Sequence, residues 1–317
     1  MEMQKLKNGL AQKCVLVRFG KRVPNFTVTA QDATAQMLRQ YGITDAEIAR
    51  VSTRKMPKAF LAEARAIAGA FYNHFHLRLT MPWSDSDQAE TEGGWRLCTN
   101  RNAAIWRVEV QKAETAFWQA VAEDLKPAKY HEYVAEVIAS AADLPDFVAE
   151  KIVPPSLAEV KKKIAFMWRL DVVPDAKDVR NPGLDDDTAK LVTQHNAEAK
   201  ARNTLKAHKH SIGNVIEQTT VIIDAMNRYG KKGKSGRAGY FLDSFEENIA
   251  SFVAALPGLN PTDDPELQKL IEATVEKLSN VDNDTLRADV KARAELKKNA
   301  TLIRKDAKAQ QAGLMSL

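Results

Sequence analysis

A short run in the second half of the chain, Gly233-Lys234-Ser235, resembles the end of a phosphate-binding loop. A complete loop of that kind needs a further glycine five residues before the last one, so that backbone amides can cradle a nucleotide phosphate. Arg228 occupies that position, and the preceding residues have a helical pattern instead of a strand pattern. We therefore exclude nucleotide hydrolysis at this loop. Its lysines among glycines could still follow a phosphate backbone, although a solvated turn explains the same residues equally well.

Positive charge is concentrated around this loop. Residues 200–237 contain nine Lys/Arg and two acidic residues, whereas the rest of the chain contains 37 basic and 39 acidic residues. Because clustered cations attract phosphate polyanions, we expect these nine side chains to bind nucleic acid, with DNA favoured. The alternative is that a long exposed helix carries lysines only to stay soluble. The nine residues are Lys200, Arg202, Lys206, Lys209, Arg228, Lys231, Lys232, Lys234 and Arg237.

Potential metal ligands occur in three places, but their spacing does not match a metal site. In His74-x-His76 the two rings point to different faces of a helix, and no third ligand stands nearby. The pair His208-x-His210 has the same defect and lies among lysines, so we expect it to add pH-dependent positive charge. The acidic loop 84–94 lacks the central glycine and the closing glutamate of a calcium loop. We predict no metal, no cofactor and no enzymatic activity, since no Ser/His/Asp or Cys/His arrangement is recognisable.

The basic residues belong to a segment that we predict to be a long helical hairpin. Apolar residues between 205 and 229 recur at steps of three, four or seven, which indicates a helix with one apolar face. Pro182 precedes this arm, and Asp185–Asp187 suit the positive end of its dipole. Gly230 suits a helix C-terminus, and the basic loop makes the turn. A second apolar stripe, from Phe241 to Leu256, forms the returning arm.

The remaining chain is predicted to be mostly helical with a small sheet, so the fold class is mostly α (α+β), a helical bundle with a small β-hairpin or three-stranded sheet. Segments 14–19 and 25–29 have the strongest strand patterns, and we expect them to pair as a hairpin. Residues 164–174 are a candidate third strand, and 95–98 are a further extended piece. Helix patterns cover residues 58–77, 102–125 and 130–142.

We predict four consecutive parts of the chain: a flexible arm 1–13, an α+β head 14–180, the hairpin 181–260 and C-terminal helices 261–317. The last helix, from Asp284 to Ala312, is charged and alanine-rich with few large apolar side chains. Such a helix either docks on a partner subunit or frays in solution. We therefore expect self-association through this region and a homo-oligomer.

Composition predicts a cytoplasmic protein without membrane segments. No apolar run approaches the roughly 18 residues that span a bilayer, and residues 1–13 lack the apolar core of a signal peptide. Cys14 and Cys98 are too few for a disulfide framework or a metal knuckle. We expect both thiols to be buried and reduced.

Five blocks of the sequence carry a resemblance to known proteins: Cys14–Phe19, Leu79–Trp83, Val172–Ala176, Phe241–Asn260 and Thr262–Leu267. Together they resemble a family of uncharacterised helical proteins of tailed phages, prophages and mobile plasmids. The similarity spans about residues 14–286. It implies no catalytic residues, since the family has no established activity. It implies instead that the protein is encoded among DNA-recombination or replication genes, or beside the genes of a MoxR-type AAA+ ATPase and a von Willebrand A-domain protein.

Two functional hypotheses follow. The preferred one is a non-enzymatic phage or mobile-element protein that binds single-stranded or sequence-nonspecific DNA during replication or recombination in the host cytoplasm. The alternative is an oligomeric adaptor for an AAA+ ATPase, in which the hairpin is a docking rod and the lysines are only a solvated face. A metal-dependent enzyme would need His74, His76 and the acidic loop to come together.

Overall fold

The structure is a computed structural model that describes residues 10–29, 52–83, 94–142, 149, 152–173, 186–231, 241 and 244–315. This part of the chain is mostly helical with a small sheet, which confirms the predicted fold class. The predicted acidic loop, apart from Gly94, and the hairpin tip from Lys232 to Arg237 lie outside the described residues. The chain divides into two compact units, one of residues 1–19, 73–108 and 168–317 and the other of residues 20–72 and 109–167.

The main sheet has four strands within the described residues, in the order β4-β5-β1-β6. Strands β5 and β1 are antiparallel, with Cys14 opposite Thr99 and Arg18 opposite Trp95. Strand β4 is antiparallel to β5 on its other side. The candidate strand at 164–174 and the extended piece at 95–98 are therefore both confirmed. The strands are β1 (Cys14–Arg22), β4 (Met81–Pro82), β5 (Trp95–Thr99) and β6 (Ala165–Val172).

The predicted β-hairpin of residues 14–19 and 25–29 is wrong. Strand β2 (Thr27–Thr29) pairs instead with β3 (Ser52–Arg54) in a separate two-stranded sheet. Strand β1 continues to Arg22, three residues into the segment 20–24 that was predicted to connect the two strands. Phe26 then adopts a φ of 48°, and its carbonyl accepts the amide of Lys55 at 2.7 Å. A strand pattern in the sequence indicates that a segment is extended and which of its side chains share a face, but it carries no information about which strand pairs with it.

The first unit contains the long helix α7 (Asp186–Arg228), which confirms the predicted first arm to within two residues at each end. Its most extensive contact is with the C-terminal helix α11 (Val290–Met315). The helix after the turn, α8 (Ser244–Ala255), packs mainly on α9 (Pro265–Leu278) and on a 3-10 turn at Leu256–Gly258. One face of the C-terminal helix is thus supported within the chain, where the sequence suggested docking on a partner subunit or fraying. Self-association through this region stays a prediction. The short helices of the unit are α1 (Leu10–Lys13), α3 (Leu77–Leu79) and α10 (Asn283–Ala288).

Small side chains allow α7 and α11 to pack closely. The buried stripe of α11 consists of Leu296, Ala300, Ile303 and Ala307, at steps of four, three and four. The buried face of α7 also includes Ala207, Ser211 and Thr219. The two hydroxyls donate within their own helix, Ser211 to the Ala207 carbonyl at 3.0 Å and Thr219 to the Val215 carbonyl at 2.7 Å. Their burial therefore leaves no orphaned donor. An alanine-rich helix can thus bury one face with only two large apolar residues in the stripe, Leu296 and Ile303.

The segment from Leu256 to Leu267, which joins two of the sequence blocks named above, is fixed by a set of close contacts. The Asn260 side chain accepts the Asp264 amide and donates to the Asp264 carbonyl, both at 2.9 Å. The Asp264 carboxylate in turn caps α9, because it accepts the amides of Glu266 at 3.0 Å and Leu267 at 2.8 Å. Gly258 lies so close to Asn102 that a Cβ there would fall 2.0 Å from the Asn102 Oδ1. These residues fix the turn between α8 and α9.

The second unit has an aromatic core that includes Phe60, Phe71, Phe117 and Phe166. Its helices are α2 (Ala62–Phe71), the later part of α4 (Asn100–Asp124), α5 (Pro127–Ala142) and α6 (Leu157–Lys163). Helix α2 begins after Leu61, whose φ is 56° and whose amide donates to the buried Asp124 carboxylate at 2.8 Å. The predicted helix therefore starts four residues later than Lys58. Ser156 and Glu159 form a capping box at the start of α6.

Candidate nucleic-acid interface

Of the nine cations predicted to bind nucleic acid, six are described by the structure. Lys200, Arg202, Lys206, Lys209 and Arg228 lie on α7, and Lys231 follows Gly230, whose φ of 72° ends the helix region. Lys232, Lys234 and Arg237 lie outside the described residues. The six do not share one surface.

Three of these cations do lie on one face of α7. Arg202, Lys206 and Lys209 are spaced by four and three residues, so the helix period places them together. Arg202 is exposed, whereas the other two are half-buried. Lys200 lies on the buried face with 9% of its surface exposed, which argues against a phosphate contact. Lys200, Arg202 and Lys206 each make further interactions inside the protein.

The end of α7 carries two more exposed cations. The Arg228 Nε donates to the Asp224 carbonyl at 3.2 Å, so its guanidinium lies back along the helix. Lys231 is exposed one residue after Gly230. Over its whole length α7 has six Lys/Arg and five Asp/Glu. The first arm is therefore nearly neutral, and the positive charge of this region depends on Lys231 and on the basic residues within 232–237, which lie outside the described residues.

The histidines of α7 do not add the expected positive charge. The His208 Nε2 lies 4.0 Å from Asp264 Oδ1, and burial lowers the pKa of His208 although Asp264 opposes that shift. His210 lies 3.5 Å from the Arg96 guanidinium. Burial, together with Arg96 and Lys206, lowers the pKa of His210 to about 4. Both rings therefore favour the neutral form at pH 7, which corrects the prediction.

The two histidines of His74-x-His76 lie in different environments. Both residues belong to a π-helical turn, Tyr72–His76, but His74 is exposed and His76 is buried. The Trp106 Nε1 donates to His76 Nδ1 at 3.2 Å, and burial with Arg96 nearby lowers the pKa of His76 to about 3. Within the described part of the chain, no three His, Cys, Asp or Glu side chains are grouped so that they could hold a metal ion.

Cys14 and Cys98 are free and buried, as predicted. Burial raises the pKa of the Cys14 thiol to about 12 and also raises that of Cys98. Both sulfurs therefore behave as small apolar groups. None of the described helices is both long and apolar enough to cross a membrane.

The C-terminal helix is the most basic of the described helices, a property that the charge pattern between residues 200 and 237 did not predict. Helix α11 contains seven Lys/Arg and two acidic residues, Glu295 and Asp306. The sequence count hid this excess, because it averaged α11 with the acidic remainder of the chain. A sliding charge count over single helices would have found it.

The lysines of α11 form an ordered row. Lys291, Lys298 and Lys305 occur at every seventh position, all exposed, on the face opposite the buried stripe. Seven residues advance a helix by about 10 Å and bring it almost back to the same angle, so the row is nearly straight. We call these three residues the lysine row. Exposed Lys297 and Lys308 lie on one flank of it, and Glu295 and Asp306 lie on the other.

A shallow groove of about 330 Å³ lies beside the lysine row. It is lined by Ala294, Lys297, Lys298, Thr301 and Leu302, and Leu302 is exposed. Arg293 does not join this surface. Its guanidinium lies 4.6 Å from the centre of the Tyr229 ring and donates to the Leu286 carbonyl at 2.6 Å, so it holds α11 in place.

No family model, curated protein or solved structure matches this chain.

Proposed function

We propose that this chain is a non-enzymatic protein that binds single-stranded or sequence-nonspecific DNA and acts in DNA replication or recombination. The observation that carries the proposal is the lysine row of α11, three exposed ammonium groups in line on a helix whose other face is buried. Phage or mobile-element origin, and with it the host cytoplasm, comes from the resemblance of the sequence blocks and belongs to the proposal.

The chemistry of the row favours phosphate contact over base recognition. Lysine presents a point charge on a flexible stem, whereas base recognition needs planar, fixed donors in a groove. Phosphate contacts position a strand but read no sequence. A single strand can adjust its backbone to charges about 10 Å apart along a straight helix face. Binding would therefore be nonspecific and steeply dependent on salt.

The cations of α7 and of the predicted turn after it would add to this surface in unequal measure. Arg202, Arg228 and Lys231 are exposed and remain candidates, together with Lys232, Lys234 and Arg237. Lys206 and Lys209 are half-buried and would contribute less. Lys200 is left out of the proposed interface because it is buried.

Fluorescence anisotropy with a labelled single-stranded oligonucleotide tests the proposal. We expect the triple variant K291Q/K298Q/K305Q to bind on the order of 100-fold more weakly at about 0.1 M salt, and its log–log salt slope to fall by about 2, at roughly 0.7 per lost phosphate contact. The matched control K161Q/K162Q/K190Q removes three exposed lysines from α6 and α7 and should leave both values almost unchanged.

Two results would contradict the proposal. One is the absence of detectable DNA binding by the unmodified protein at low salt. The other is an equal loss of affinity in the row variant and the control, because the effect would then follow net charge and not position.

The second candidate is an adaptor for an AAA+ ATPase, and the groove beside the lysine row favours it. Exposed Leu302 and Ala294 give this face an apolar component, which a protein partner would cover and DNA would not need. An adaptor of this kind would ignore DNA and bind its partner through α11. Substituting Leu302 with Ser should then weaken partner binding, whereas it should leave DNA affinity unchanged if the first proposal holds.

A further inference from the structure

Strand β6 is an edge of the main sheet, and its end is exposed. It lies beside β1, and among the described residues no strand pairs with its other edge. From Arg169 to Val172 every side chain is exposed, including Leu170 at 43% and Val172 at 63%. The Val172 amide donates to the carboxylate of its neighbour Asp171 at 2.8 Å. An exposed strand edge is a template for pairing with another chain.

The sequence of this edge is complementary to itself. Consider two copies of Trp168-Arg169-Leu170-Asp171-Val172 that pair antiparallel, with Leu170 of one copy opposite Leu170 of the other. Arg169 of each copy then lies opposite Asp171 of the other copy, which gives two pairs of opposite charge. Trp168 likewise lies opposite Val172. Opposite charges and aromatic–β-branched pairs both stabilise neighbouring strands.

Symmetry selects this register over its neighbours. A two-fold axis perpendicular to the joined sheet leaves each residue of the second copy on the same face as in the first copy. Residues that lie directly opposite each other must share a face, and neighbouring residues of a strand do not. The axis must therefore pass beside a residue, which then lies opposite its own copy, and not between two residues. Centring on Arg169 would oppose two guanidinium groups, and centring on Asp171 would oppose two carboxylates. Like charges directly opposite each other destabilise the pair. Only the register about Leu170 pairs opposite charges among these three.

We propose that two copies of this protein associate through antiparallel pairing of β6 about Leu170, which joins their sheets into one. The partner is a second copy of this chain because the charge pattern is complementary to its own reversal. This dimer does not depend on DNA binding, and its interface is distinct from the lysine row of α11.

Sedimentation velocity on the full chain tests the dimer with a charge exchange. R169D and D171R each place like charges opposite each other twice, so each should weaken the dimer by about 30-fold or more. The double variant R169D/D171R restores both pairs in reversed order and should dimerise like the unmodified protein. K190D, which makes the same charge change on exposed α7, is the control and should remain dimeric.

Far-UV circular dichroism of each variant verifies that it is folded. A monomeric unmodified protein at all soluble concentrations would overturn the proposal. So would a dimer that survives both single substitutions, or a double variant that is folded but stays monomeric.

Discussion

The buried imidazole of His76 should make the first unit sensitive to mild acid. His76 is 1% exposed, and its Nδ1 accepts the Trp106 indole N–H at 3.2 Å. A protonated ring would lose this acceptor and would place a charge near Arg96. Burial and Arg96 accordingly lower the pKa of His76 to about 3, against about 6.5 in an unfolded chain.

The sign and size of the effect follow from proton linkage. Below pH 6.5 the unfolded chain binds a proton that the folded chain does not bind until about pH 3. Stability is therefore full above pH 6.5 and falls by up to about 1.4 kcal/mol per pH unit as the pH decreases toward 3. Between pH 7 and pH 5 the loss from His76 alone is about 2 kcal/mol. His210, with a pKa lowered to about 4, adds a loss of the same sign.

Urea unfolding at pH 7 and pH 5 measures this loss. The variant H76Q keeps an acceptor for Trp106 but has no proton to gain, so the difference between its two free energies of unfolding should be about 2 kcal/mol smaller than in the unmodified protein. H131Q, at an exposed histidine of α5, is the control. An H76Q protein with an unchanged difference would refute the reasoning, as would an NMR titration of His76 near pH 6.5 in the folded protein.

Two further predictions concern the turn between α8 and α9. G258A should destabilise the protein by about 2–3 kcal/mol, because the new Cβ would lie 2.0 Å from Asn102 Oδ1. In a double-mutant cycle measured by urea unfolding, the destabilisation caused by G258A should be smaller when N102A is also present. Strictly additive free energies of the two substitutions would contradict the contact. D264A should cost about 1 kcal/mol, because the carboxylate caps two amides of α9. The exposed substitution E276A, measured in the same way, should have little effect, and an equal effect of both would argue against the cap.

Local patterns predicted much of the fold. The long helix was placed to within two residues, since its apolar period, its aspartates and its terminal glycine all act inside one helix. The strands at 14–19, 95–98 and 164–174 were also found. The partner of β2 was not, because strand pairing joins residues far apart in sequence, such as Thr27 and Arg54.

The candidate site shows the same division. The sequence located a basic segment near the turn, but it could not tell that Lys200 is buried or that His208 and His210 lie in surroundings that favour the neutral ring. It also gave no indication that α11 presents a basic face, because the few large apolar residues of this helix suggested that it is unsupported. Packing of small side chains against α7 buries one face of α11, and this orients the lysine row outward.

The sequence by itself determined which of the longer segments are helical or extended and how much positive charge the chain carries, because these properties depend on near neighbours and on composition. Only the tertiary structure decided which strands pair, which cations are exposed to solvent and which histidines have a lowered pKa. Those outcomes depend on contacts between residues that are distant along the chain, and the physical cost of burying a charge is set by such contacts.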